Sequence, residues 1–204
     1  MNRISYDDFL EAINPVERPI RTFHCGFSYL EQWLVLEAEA VEHGVDINPD
    51  FQRGHIWTEA QQVAYIENVL RRIVDESGLT IRFNCPTWRE AKLSGDLPDQ
   101  VVCIDGLQRL TAIRKFISKE LPIFGLEYEL LPMRVILRDL QLVIKMYDFQ
   151  DRKDLLKFYL DINGGGTPHS KEELDRVRGL MIKAGKRLEV KCWVLISEYE
   201  HQSL

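Results

Sequence analysis

The chain has 204 residues, 45% of them apolar and 28% charged, with a formal net charge of −6. That is the balance of a globular domain long enough to bury a real core, and it excludes a protein that coats nucleic acid through bulk charge alone, though not one with a local basic groove. Cys25, Cys85, Cys103 and Cys192 lack the spacing of a zinc site or a disulfide framework; with no opening basic-then-apolar segment and no membrane-length apolar run, the expected setting is the cytoplasm, without a membrane partner.

Charge is uneven. Residues 1–50 carry ten acidic and three basic side chains, and residues 171–191 carry seven basic and four acidic, so the C-terminal end is the candidate face for a polyanion. In chain order, residues 5–13 predict a short amphipathic helix opened by Ser5, with Phe9, Leu10 and Ile13 on one face, stopped near Pro15. Pro19 to His24 reads as a strand, and a helix from Ser28 to about Glu42 follows from the spacing of Tyr29, Trp33, Leu34, Leu36 and Val41, with Gly44 ending it.

Residues 47–57 form an irregular loop rich in polar and aromatic groups, able to present Gln52, Arg53 and His55 to a ligand. His55 suits acid–base chemistry or a purely structural role; Trp57 reads as a packing anchor. Thr58 and Gln61 make a capping box, so a helix starts directly after the loop. Leu79–Asn84 reads as a strand, residues 85–100 as a connection, and 101–104 as a central strand.

That strand runs through Asp105-Gly106 into a helix whose apolar face is Leu107, Leu110, Ile113, Phe116 and Ile117. A helix start presents free backbone N–H groups and a partial positive charge, which favour an anion. Gly106 would admit a ligand close to the backbone, Arg109 could clamp a phosphate, and Asp105 could cap the helix or engage a sugar hydroxyl, water or metal. An ordinary Asp-Gly turn followed by a solvated arginine explains the same residues.

Further on, 133–137 reads as a strand, and 141–147 fits strand or helix equally. Asp151 predicts the cap of a helix through Ile162 that stops at the glycine run 164–166; that run could be an anion-binding nest or a plain connection. Ser170 and Glu173 form a second capping box, and Val190–Ile196 reads as a closing strand. Strands and helices mix without regular alternation, which makes the class α+β. The dinucleotide fingerprint, the phosphate loop, His-Glu-x-x-His and Gly-x-Ser-x-Gly are all absent.

Three blocks match one pattern: Asp50-Phe51-Gln52-Arg53 followed by Trp57 and Gln61; Ile104 to Thr111; and Asn163 to Pro168. Across roughly residues 46–178 the chain resembles the domain of unknown function family 262, the GmrS-like family of the ParB/sulfiredoxin superfamily, and is most similar to its short phage and prophage forms. The resemblance implies a ParB/sulfiredoxin-like core, with a small mixed sheet surrounded by helices, over residues 46–204, and an N-terminal extension, residues 1–45, packed on it.

It further implies nucleoside-triphosphate binding and hydrolysis, with Asp105, Gln108 and Arg109 as the catalytic set and Gln52, Arg53, Gly106, Thr111 and Asn163 binding nucleotide. Mg²⁺ would be held mainly through the nucleotide's phosphates, with no protein metal site. Implied partners are DNA and a separate nuclease or other effector, in phage or bacterial DNA metabolism, restriction or defence. Two positions depart from the family pattern: Leu107 replaces a glutamine, and Gly54 stands where proline is common. Nothing after residue 178 resembles the His-Asn-His domain of the related restriction enzymes. The competing readings are a DNA-binding or DNA-cleaving module using Arg53, Arg109 and the basic C-terminal helix, a kinase with a second acceptor pocket, and a catalytically inactive interaction adaptor.

Overall fold

A computed structural model describes residues 3–13, 15–52, 54, 56–89, 94–126, 128–164, 172 and 174–185. The alternating and apolar stretches form strands β1 (Arg21–Gly26), β3 (Thr80–Asn84), β4 (Val101–Asp105) and β5 (Gln141–Tyr147), joined by the two-residue β2 (Val45–Asp46). They make one mixed sheet in the order β1-β5-β3-β4-β2. β5 lies antiparallel to β1 and parallel to β3, while β4 is antiparallel to β3 and parallel to β2. The helices are α1 (Tyr6–Ile13), α2 (Leu30–Ala40), α3 (Glu59–Leu70), α4 (Leu107–Ile117), α5 (Met133–Asp139) and α6 (Arg152–Gly164), and residues 174–185 are also helical. The class is therefore α+β.

Alternation along β4 divides the apolar interior in two. Val101 and Cys103 join a large cluster with Leu34 of α2, Ile66 of α3 and Leu110, Ile113 and Phe116 of α4. Ile104 joins a second cluster with Phe51, Leu155, Tyr159 and Val177. The strand thus ends between two packed layers, which fixes where its last residue, Asp105, can point.

The N-terminal part divides as well. β1 pairs with β5 along its whole length, and Phe27, Leu30 and Leu34 are in the core, so residues 21–40 are integral to the sheet and its packing. α1 buries no residue. The long helix expected from Ser28 is a 3₁₀ turn at Phe27–Tyr29 followed by α2, which ends at Ala40 because Val41 is extended. Gly44, at φ +68°, makes the left-handed turn into β2.

The segment 133–137 is helical, not a strand. Pro132 sets its start, with its carbonyl accepting from the N–H groups of Val135 and Ile136, and only Met133 is buried. A five-residue stretch with four apolar side chains has no period long enough to separate the two structures, and its surroundings decided. The neighbouring ambiguous run is β5. The α3 capping box forms as expected: Thr58 Oγ1 accepts from Gln61 N–H at 3.3 Å, and Gln61 Oε1 accepts from Thr58 N–H at 2.9 Å. At α6 the Arg152 N–H is capped by Asp96 Oδ1 at 2.7 Å, while Asp151 gives its carbonyl to Leu155.

The capping box at Ser170 and Glu173, the closing strand 190–196 and most of the glycine run lie outside the described residues. Among the described residues, no helix is long and apolar enough to cross a membrane.

Candidate functional site

Asp105 ends β4, and the sheet gives it a partner that no local pattern marks. Phe83 faces Cys103 in the β3–β4 ladder, yet the next residue back, Arg82, faces Asp105, because the register shifts between Arg82 and Phe83. Such a bulge re-aims a side chain at a strand end. Asp105 Oδ2 consequently accepts from Arg82 Nη1 at 2.5 Å and from Arg109 Nη2, one helical turn on, at 3.0 Å. Arg109 Nη1 also donates to the Ser77 carbonyl at 2.8 Å. One carboxylate oxygen thus bridges two guanidiniums, leaving a net positive corner whose three side chains are 18–26% exposed. The Tyr147 phenol lies beside it: burial raises its pKa, and the Arg82 charge opposes the rise.

Between strand and helix stands Gly106, at φ +100°, where an L side chain is strained. A Cβ there would also sit 2.6 Å from Ile81 Cδ1, so the glycine is needed for packing as well as for the turn. No side chain caps α4 at this position; Asp105 is committed to the two arginines instead. Leu107 is 4% exposed and belongs to the core.

The neighbouring glutamines do different work. Gln108 Oε1 accepts from the backbone N–H groups of Ile56 and Trp57 at 2.9 and 3.0 Å, and its Nε2 donates to the Gly54 carbonyl at 2.7 Å. Gln52 Nε2 donates to the carbonyls of Cys103 and Ile104, both at 3.0 Å. These two amides stitch the 52–57 loop to the end of β4 and the start of α4. Gly54 takes φ +72°, a conformation proline cannot adopt.

Two further arginines, Arg152 and, from the basic stretch 171–191, Arg176, hold the loop from its other side. Arg152 binds both carboxylate oxygens of Asp50 at 2.6 Å, and Arg176 donates to the carbonyls of Asp50, Phe51 and Gln52. Arg178 pairs with Asp175. Part of the basic excess at the C-terminal end is therefore spent within the fold.

Of the expected site residues, the catalytic candidates Asp105, Gln108 and Arg109 and the binding candidate Gly106 are together at the junction, and Gln52 reaches it from the loop. Thr111 donates its hydroxyl to the Leu107 carbonyl within α4, and the Asn163 amide donates to the Tyr159 carbonyl within α6. Arg53 and His55 lie outside the described residues. Arg82 is the functional candidate that the sequence reading missed; its only local signal was a charged residue between Ile81 and Phe83 in the middle of a strand.

Cys103 is fully buried beside the site and donates weakly to the Asp105 carbonyl; burial pushes its thiol far up, so it is no nucleophile at neutral pH. Among the described residues no group of three or more His, Cys, Asp or Glu could hold a metal. A cavity of about 390 Å³ beside α6 is lined by the acidic Glu17, Asp148, Asp154 and Asp161 with Lys157, an acidic excess that makes it a poor place for a phosphate. No protein-family model, no curated protein and no solved structure matches the chain.

Proposed function

We propose that the chain is a nucleoside-triphosphate-binding and hydrolysing domain, acting with DNA and a separate effector in phage or bacterial DNA metabolism or defence. The observation that carries this reading is the bridge of Arg82 and Arg109 by one oxygen of Asp105 at the start of α4. Two guanidiniums aimed at one point are a ready site for a phosphate, and the adjacent helix start adds its dipole.

In this reading the terminal phosphate enters between Arg82 and Arg109, and Asp105 is released from them. The freed carboxylate orients a water molecule and accepts its proton as the water oxygen attacks the terminal phosphorus. The bond to the bridging oxygen breaks, leaving a nucleoside diphosphate and phosphate. The arginines stabilise charge on the transferring group, which is the main catalytic term in phosphoryl transfer. Gln52 and Gln108 act as positioning residues, because their amides hold the loop against this corner. Among the described residues Asp105 is the only carboxylate bonded within the corner, and this donor set suits Mg²⁺ held chiefly by the nucleotide's phosphates, where it would offset their charge.

Burial of Leu107 and full use of Gln108 on the loop favour a second reading, an adaptor that binds nucleotide without turning it over. Phosphate release and equilibrium binding with ATP, GTP, CTP and UTP in Mg²⁺, with and without DNA, separate the two. Turnover that Arg109→Ala and Asp105→Ala both remove while remaining folded supports the hydrolase. Binding without turnover supports the adaptor, and absence of both overturns the phosphate site.

A further inference from the structure

The line of cations at this corner does not stop at Arg82. In the sheet register Arg82 faces Asp105 on one side and Lys145 of β5 on the other, and Lys145 in turn faces Thr22 of β1. Registered partners share a face, so Thr22, Lys145, Arg82 and Asp105 form one row across four strands, with Arg109 at its end. We propose that Lys145 is a further binding residue, which takes the phosphate next to the terminal one seated between Arg82 and Arg109. The proposal rests on the phosphate-binding reading above and extends it to the rest of the phosphate chain.

Burial along β3 and β5 marks this row as an opening. Ile81, Phe83, Ile144 and Met146 turn to the opposite face and join the larger core cluster. On the near face the flanking residues Thr80, Asn84, Val143 and Tyr147 are all buried, whereas Arg82 and Lys145 are half-buried and Thr22 is exposed. A polar slot therefore runs from the corner toward the edge strand β1. Its charges are unbalanced. Lys145 and Arg82 are like charges on adjacent strands, an arrangement that opposes folding. Asp105 answers Arg82 and Arg109, but among the described residues Lys145 has no ion-pair partner. Glu17, whose charge reaches the Tyr147 phenol, forms no ion pair with it. A polyphosphate supplies the missing counter-charge: with its terminal group on the two guanidiniums, its next phosphate can meet the Lys145 ammonium along the row.

The test is isothermal titration of the full-length chain with inorganic tripolyphosphate in Mg²⁺. Lys145→Gln is expected to weaken binding about tenfold, and Lys145→Arg, which keeps the charge, to retain most of the affinity. Arg21→Gln is the control for net charge. Arg21 lies one residue from the row but on the opposite face, over the Phe23 ring, so its loss should change affinity by less than about twofold. Lys145→Gln removes a repulsion, so its urea midpoint should not fall below that of wild type, whereas a lysine placed for stability would lower it. Lys145→Met, which keeps the stem, replaces the glutamine variant if that one fails to fold. Tripolyphosphate binding that depends on Arg109 but is unchanged in Lys145→Gln, or is weakened equally by Arg21→Gln, overturns this inference and leaves the phosphate site standing. No tripolyphosphate binding, or binding indifferent to Arg109→Ala, overturns both.

Discussion

Two sets of side chains meet at the start of α4 and differ in how they are spent. The charged corner, Arg82, Asp105 and Arg109, is bonded mainly within itself through a single carboxylate oxygen, a contact that an incoming anion can replace. The amide latch, Gln52 and Gln108, is bonded to five backbone groups at the end of β4 and in the loop before α3. No ligand can replace those bonds without loosening the loop. Adjacent residues of one motif can therefore divide between a replaceable contact and a fixed one, and the chemistry of the partner shows which is which.

The sharpest way to test this division is to break the latch. Gln108→Ala leaves two N–H groups and one carbonyl without their partner and should cost about 3 kcal/mol, read from urea unfolding. Gly106→Ala, which disturbs both sides, combines a left-handed backbone with a clash on Ile81 and should cost about 2 kcal/mol by the same measurement. Breaking the corner should have the opposite profile: Arg82→Ala or Arg109→Ala should lower stability by only about 1 kcal/mol, since the pairs are partly exposed, while reducing triphosphate affinity at least about tenfold in titration. An Arg82 variant with unchanged affinity would remove that residue from the site.

A smaller effect comes from pH. Burial raises the thiols of Cys25, Cys85 and Cys103 above their ordinary value of 9.0 and the Tyr65 phenol to about 12. Each raised group adds stability that is present in full below its unfolded pKa and is lost as pH rises toward the folded one. The melting temperature should therefore fall progressively above about pH 9, with no such loss between pH 7 and 8. The smallest effect is expected from removing residues 1–13: α1 buries nothing, so stability should change by no more than about 0.5 kcal/mol in thermal unfolding.

Local chemistry was legible wherever one stretch of chain contained all the partners. The Thr58–Gln61 capping box, the apolar face of α4 and the Asp105-Gly106 turn each involve residues within a few positions of one another, so their spacing states their geometry. The loop 50–57 was legible as important, but its Gln52, like Gln108 of α4, read as a ligand group because the backbone carbonyls and N–H groups these two amides bond lie about fifty residues away in the chain, invisible to side-chain pattern. Residues 133–137 misread for a related reason, since so short a stretch, apolar but for Arg134, fits either structure until its neighbours select one.

By itself, then, the sequence determined the α+β class, the strand-to-helix junction and the presence of Asp105 and Arg109 on either side of one glycine. Tertiary structure alone decided that Arg82 completes the corner, that Arg152 and Arg176 clamp the loop, and that Gln108 faces the backbone. The reason is one of range. Hydrophobic period and capping act over a single turn, but Arg82 meets Asp105 only because two strands pair with a one-residue shift in register, and that shift is set by the packing of both sheet faces.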